Sequence, residues 1–240
     1  MDSTAGKLAI EVRNVKKSFD ERLVLKGIDL AVQSGESVVI FGPNGAGKTT
    51  LIKILSTIVT PTSGNVVIDG YDIKRQPDKV RQRIGVVSHN TFLYNNLTGY
   101  ENLDFYRRLY DVPKDRINAV SEMVGMQTRL HDRISNLSRG MQQRFAIARA
   151  LLANPHIMLL DEPETGLDQQ AISLLWNAFR SDNGVKRTLV LISHNLERGL
   201  EIADRLIIIS RGKVVYQIAR HSIDLAGLKE AYQSNTKVTL

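Results

Sequence analysis

The stretch Gly42, Pro43, Asn44, Gly45, Ala46, Gly47, Lys48, Thr49 and Thr50 constrains this chain more than any other. It fits G-x-x-x-x-G-K-[ST] and directly follows Ser37-Val38-Val39-Ile40-Phe41, an apolar run of buried-strand type. A helix-compatible stretch, Thr50 to Ile58, comes next, so strand, loop and helix stand in the order the motif requires. Glycines let backbone N–H groups turn inward around β- and γ-phosphates. Lys48 brings an ammonium beside them, and Thr49 offers a hydroxyl to Mg²⁺. The bland alternative is a glycine-rich turn that happens to precede a lysine. The register of all these parts favours a site for ATP or GTP.

The chain has 240 residues, enough for one large domain or two small ones with a substantial core. Hydrophobic residues at 42% and charged residues at 24% are ordinary for a soluble globular protein. No apolar run approaches the roughly 20 residues that cross a bilayer, and residues 1–7 lack the apolar core of a signal peptide. Without cysteine there is no disulfide, thiolate metal site or cysteine nucleophile. A cytosolic location is expected. The net charge of +7 raises nucleic acid or an anionic membrane as a partner. Its basic residues are scattered in pairs such as Lys16-Lys17 and Arg107-Arg108, a pattern of solvated surface.

Alternating apolar residues from Leu8 to Val15 predict a strand, and Arg22 to Val32 one or two more. Thr60 to Gly64 reads as a turn, with strands at Asn65–Asp69 and Ile84–Ser88. The spacing of Leu103, Phe105, Tyr106, Leu109 and Tyr110 predicts a helix over 98–110 with a broad buried face. Further helices are expected over 114–124 and 140–153. Three apolar strands, 157–160, 188–193 and 205–210, then alternate with helical segments, which indicates a parallel sheet covered on both faces. The fold class read from this is α/β, a P-loop core over 35–59 and 155–210. An antiparallel β portion precedes it, and a helical subdomain spans about 95–140. The chain reads as a single domain over 1–240, and its tail, about 219–240, has room for a short helix.

Kinases, GTPases, helicases and transporters all share phosphate loops, so the other motifs decide between them. Ile157 to Leu160 is an apolar strand ending in Asp161 and Glu162. Asp161 is placed to hold Mg²⁺, directly or through water, and Glu162 to polarise a water in line with the γ-phosphate. Asn136-Leu137-Ser138-Arg139-Gly140-Met141 opens a helix with Ser138 as its N-cap, and a helix N-terminus attracts anions. Glu164-Thr165-Gly166-Leu167-Asp168 follows Pro163, and Ser193-His194 ends the next apolar strand.

With these motifs in this order, the chain resembles an ATP-binding-cassette (ABC) ATPase, specifically a transporter nucleotide-binding subunit. The likeness covers about residues 8–218. Residues 42–50 match its Walker A motif, 157–162 its Walker B motif and catalytic glutamate, and 137–141 its LSGGQ signature. Residues 165–168 match its D-loop and His194 its switch histidine, while Phe19 stands where the family stacks an aromatic on adenine. The resemblance implies ATP and Mg²⁺ as ligands and a head-to-tail homodimer. In that dimer ATP is sandwiched between one Walker A and the partner's signature, with Ser138 and Gly140 touching the opposing γ-phosphate. It further implies a separate transmembrane permease, peripheral association with the inner face of the cell membrane, and no nucleic-acid partner.

Two departures stand out. His89 in Ile84-Gly85-Val86-Val87-Ser88-His89 occupies the place of a glutamine that contacts Mg²⁺ and water. Imidazole lacks an amide oxygen for a hard cation, so a water-mediated or relaying role is expected. The signature reads LSRGM, and Arg139 acts either as an arginine finger or as an exposed or salt-bridged side chain. The region 89–110 is similar to the ATP-binding subunit of the haem exporter of cytochrome c biogenesis, with drug, polysaccharide and lipid exporters sharing parts of it. A soluble ABC ATPase acting on nucleic acid or ribosomes, and a nucleotide switch with negligible turnover, are the competing readings.

Overall fold

Two kinds of strand in this sequence build two different sheets. The computed structural model describes residues 6–182 and 185–236. They divide into two compact units, one of residues 6–84, 159–161 and 188–236, the other of residues 85–158, 162–182 and 185–187.

In the first unit, β1 (Leu8–Phe19) pairs antiparallel with β2 (Arg22–Gln33). β3 (Ser37–Phe41) leads through the glycine-rich loop to α1 (Lys48–Leu55), and β4 (Ser63–Ile68), β5 (Tyr71–Asp72) and α2 (Pro77–Arg81) follow. The antiparallel sheet runs β2-β1-β4-β5. Its strands alternate between buried and exposed positions: Leu25, Ile28, Leu30 and Val32 are buried while their neighbours face solvent. One face is therefore packed and the other wet.

β6 (Ile84–Val87) carries the chain into the second unit. There α3 (Gly99–Leu109) and α4 (Arg116–Met123) are followed by 3₁₀ turns at Gln127–Arg129 and Ile134–Asn136 and then by α5 (Arg139–Leu151). A capping box starts α3: the Thr98 hydroxyl accepts from Glu101 N–H, and Glu101 accepts from Thr98 N–H. The bonds from Thr98 hold the Glu101 carboxyl below its usual pKa. Its contribution is thus present above the unfolded carboxylate value and lost as pH falls through the depressed one. β7 (Ile157–Asp161), α6 (Gln169–Arg180) and a hairpin of β8 (Ser181–Asp182) and β9 (Val185–Lys186) complete this stretch.

The chain then forms β10 (Thr188–Ile192), α7 (Leu196–Ile202), β11 (Arg205–Ser210), β12 (Lys213–Ala219) and α8 (Leu225–Thr236). The larger sheet has the order β12-β11-β3-β10-β7-β6. β3 pairs parallel with β10 and β11, and all five residues of β3 and of β10 are buried, as continuous apolar strands require. At the base of β3, Arg205 binds Glu36 with Nε to Oε1 at 2.6 Å and Nη2 to Oε2 at 3.0 Å. The α/β architecture, with antiparallel and parallel sheets and added helices, is the one expected.

Several local readings need correction. Residues 22–33 form one strand, within the expected one or two, whereas β4 starts at Ser63, inside the expected turn. β12 is a further strand that lacks the continuous apolar run of its neighbour β11, its residues ranging between half-buried and exposed. α1 begins at Lys48 rather than Thr50, because a β-branched Thr pair is tolerated in a first turn whose core side is held by Leu51, Ile52, Ile54 and Leu55. α3 lacks the broad buried face expected of it. Only Gly99, Asn102 and Leu103 are buried, while Phe105 is 44% and Leu109 66% exposed. The buried face is set by residues at i, i+3 and i+4 from Gly99; Phe105 points off it, and Leu109, on the same side as Asn102, is the last residue of the helix.

Candidate functional site

β3 delivers the chain into the glycine-rich loop. Gly42 leaves the strand at φ 152°, and an added Cβ there would stand 2.0 Å from the backbone oxygen of Ile209. Backbone cannot yield as a side chain does. Gly42→Ala is therefore expected to cost about 2 kcal/mol of stability and to weaken nucleotide binding. Thermal unfolding with and without ATP checks both, and an unchanged Tm would count against this account of the loop. Beyond Gly42, the loop closes through Ala46 N–H to Pro43 O at 3.2 Å. It is tied to the turn after β11 by Gly212 N–H to Ala46 O at 3.0 Å. Asn44 and Gly45 form its exposed tip.

Gly47 is the N-cap of α1 and supplies no capping side chain. Lys48, Thr49 and Thr50 thus form the first turn of a helix whose N-terminus attracts anions. Lys48 is 6% exposed, and its ammonium donates to Gly42 O at 2.7 Å and Pro43 O at 3.0 Å. A buried cation at a helix N-terminus suits a polyphosphate.

His194 follows β10, whose Ile192 pairs with Ile40 of β3, so His194 and Gly42 leave the same edge of the parallel strands. It is exposed, and its turn is held by Asn195 N–H donating to Ser193 Oγ at 3.1 Å. Phe19 ends β1 with 44% of its surface exposed and the Lys17 ammonium 4.8 Å from its ring centroid. Asp161 ends β7, next to β10 in the sheet, and is 3% exposed. Among the described residues no three His, Asp or Glu gather into a metal cage. Thr49 and Asp161 still fit Mg²⁺, which takes one or two protein oxygens and completes its shell with phosphates and waters.

The second unit holds the remaining residues. Glu162, joined to Asp161 by the peptide bond, has φ 52°, a left-handed conformation rare for a non-glycine residue. Such strain, of order 1–3 kcal/mol, collects at functional sites. Sequence pattern gave no sign of it. Ser138 caps α5 by accepting from Met141 N–H at 3.3 Å. Gly140 lies so close to the turn after β7 that a Cβ would be 2.7 Å from Gly166 O. Ser138, Gly140 and Asp168 line one cavity of about 520 Å³, which exposed Arg139 also borders. Asp168 has work of its own: its Oδ1 accepts from Ala171 N–H at 2.7 Å, and its Oδ2 pairs with Arg144 at 3.3 Å. His89 is exposed, two residues past β6, in a turn closed by the Ser88 hydroxyl donating to Asn90 O at 2.9 Å.

A family model described as ABC transporter matches residues 25–165, from β2 through the end of β7 and beyond Glu162. The chain belongs to the ABC transporter family. Relatives of this ABC transporter chain include the linearmycin resistance ATP-binding protein LnrL of Bacillus subtilis (strain 168). It is 35% identical over 210 residues, covering 86% of this chain and 68% of that protein. A Nod factor export ATP-binding protein I of Burkholderia lata is 34% identical over 218 residues, covering 89% of this chain and 72% of its own. Among solved structures, the ATP-binding cassette MJ0796, a dimer in a post-hydrolysis state bound to ADP and Pi, superposes with a TM-score of 0.81 at 28% identity. It covers 88% of this chain and 98% of that one.

Two features of this ABC transporter domain were missed in the sequence. Arg149 is buried on α5 at 6% exposure, and Asn102 is fully buried on α3. The signal was there for Arg149, a charge inside the apolar run Phe145-Ala146-Ile147-Ala148-Arg149-Ala150-Leu151. No helix of the described residues is long and apolar enough to cross a membrane.

Proposed function

We propose that this chain is the Mg²⁺-dependent ATPase subunit of an ABC exporter, acting on a membrane-spanning permease carried by a separate chain. The observation that carries the reading is the buried Lys48 ammonium on a glycine loop at the head of α1, in a chain of this family. In this reading Lys48 and the first-turn amides of α1 grip the β- and γ-phosphates, and Phe19 stacks on the adenine. Thr49 and Asp161 would hold Mg²⁺, which when bound would supply charge neutralisation for the phosphates. Glu162 accepts a proton from the attacking water, and His194 reaches the γ-phosphate from the neighbouring strand end.

Ser138 and Gly140 contact the nucleotide of a second copy in a head-to-tail homodimer, and Asp168 borders that contact. The dimer named for MJ0796 supports this arrangement by likeness. Export is supported by the names of the two relatives, one for linearmycin resistance and one for Nod factor export. Neither is named for haem, so the likeness of residues 89–110 to the haem exporter stands alone, and cargo is left to the permease. The chain would sit on the inner face of the cell membrane, held there by the permease. Phosphate release by the purified chain with ATP and Mg²⁺, alone and with the co-purified permease, tests the reading. No release in either form would leave a nucleotide switch in its place. Steeply salt-dependent binding to duplex DNA or RNA with stimulated turnover would favour the nucleic-acid alternative.

A further inference from the structure

Arg149 sits on α5, the helix that Ser138 caps, with its guanidinium turned into the second unit. Its Nη2 donates to the carbonyl of Val86 at 2.7 Å. The guanidinium carbon lies 5.4 Å from the ring centroid of Phe92 and 5.3 Å from that of Tyr106. Its Nε is buried and has no hydrogen-bond partner among the described residues. Burial pulls the guanidinium's pKa down, with Tyr110 and Tyr106 opposing that shift. A buried cation with an unpaired N–H is costly, and an apolar side chain of similar volume would fill the space at less cost. What the guanidinium adds is direction: it binds one carbonyl and stacks on two rings at once.

Its contacts converge on the stretch that carries His89. Val86 lies before His89, and Phe92 lies after it. Phe92 has φ 55°, a left-handed conformation that a bulky residue adopts only when held. The Tyr106 hydroxyl holds it, donating to Phe92 O at 2.5 Å. Farther along, the Asn102 side chain accepts from Tyr94 N–H at 2.8 Å and donates to Tyr94 O at 3.1 Å and Thr98 O at 2.9 Å. His89 itself is exposed, so its position is set by these flanking anchors rather than by packing of its ring.

We infer that Arg149, with Tyr106, is a positioning residue for His89, fixing the backbone on both sides of it from the helix that Ser138 caps. Movement of Ser138 and α5 is thereby transmitted to the His89 turn through one buried guanidinium. The turnover arm of the test below rests on the ATPase reading; the exchange arm does not.

Tyr106→Phe removes only the hydroxyl bound to Phe92 O and leaves the ring beneath Arg149. Arg149→Lys keeps the charge and loses the planar fork. In the full chain, amide hydrogen exchange over 87–95 should be about fivefold faster in Tyr106→Phe, the equivalent of one hydrogen bond, and faster still in Arg149→Lys. Turnover should fall severalfold in Tyr106→Phe with KM for ATP unchanged, and that fall should vanish in a His89→Ala background. Unchanged exchange in Tyr106→Phe overturns the inference, as does the same loss of turnover with and without His89. Should Arg149→Lys fail to fold, Tyr106→Phe decides alone. If no form hydrolyses ATP, the proposed function fails while the exchange result still decides the positioning of His89.

Discussion

Glu162→Gln should bind ATP as the unaltered chain does and hydrolyse it roughly 10²–10⁴-fold more slowly, the usual contribution of a general base. Glutamine has the shape of glutamate and no negative charge with which to take a proton from water. The left-handed turn at φ 52° is held by its surroundings, among them Thr165 N–H donating to Glu162 O at 3.2 Å, so the substitution leaves the backbone in place. Binding and hydrolysis therefore separate. With ATP bound and uncleaved, the head-to-tail dimer should persist, seen as a doubled mass in size-exclusion chromatography only when ATP is present. Single-turnover phosphate release gives the rate, and titration with a fluorescent ATP analogue gives the affinity. Normal turnover in this variant would falsify the assignment of Glu162 as the base.

Lys48→Ala should act on the other side of that separation, at binding. The ammonium is buried at 6% exposure and donates to two loop carbonyls, Gly42 O and Pro43 O. Hydrogen bonds to a charged group contribute about 1.5–3 kcal/mol each. Losing two such bonds to phosphate oxygens would weaken ATP binding by about 10² to 10³-fold or more. Part of the effect arises before nucleotide arrives, because the alanine also leaves the loop carbonyls without this donor. Calorimetric titration with ATP measures the loss, and thermal unfolding without ATP reads the part that belongs to the loop itself. An affinity within a factor of two of the unaltered chain's would remove Lys48 from the phosphate grip.

Much of the site is written in contiguous sequence. Residues 42–50 are one loop and one helical turn, so their spacing alone places an ammonium and a hydroxyl beside a helix N-terminus. Asp161 and Glu162 follow from an apolar strand that ends, and Ser138 from an N-cap before an amphipathic helix. These are local patterns, and local patterns survive translation into structure.

Other parts were not legible, for reasons that can be named. The exposed Phe105 and Leu109 look like core residues to any count of apolar positions. Asn102 takes the buried place instead because its amide satisfies the backbone of Tyr94 and Thr98. The strained backbone of Glu162 and Phe92 carries no residue signature, since neither is glycine, asparagine or aspartate. In the sequence Asp168 is marked only by its place in a motif, and its bonds to Ala171 and Arg144 exist only in the fold.

The sequence by itself determined the chemistry of phosphate binding, because a glycine loop, a lysine and a helix start are neighbours in the chain and their geometry is set by short-range sterics. It also determined the α/β alternation, because buried parallel strands must be apolar along their whole length. Only the tertiary structure decided which polar side chains were buried and what they hold. Arg149 reaches Val86 across 63 positions of sequence, and no periodicity encodes a contact between residues that distant. Such pairings come from packing, where the cost of an unsatisfied buried group selects its partner.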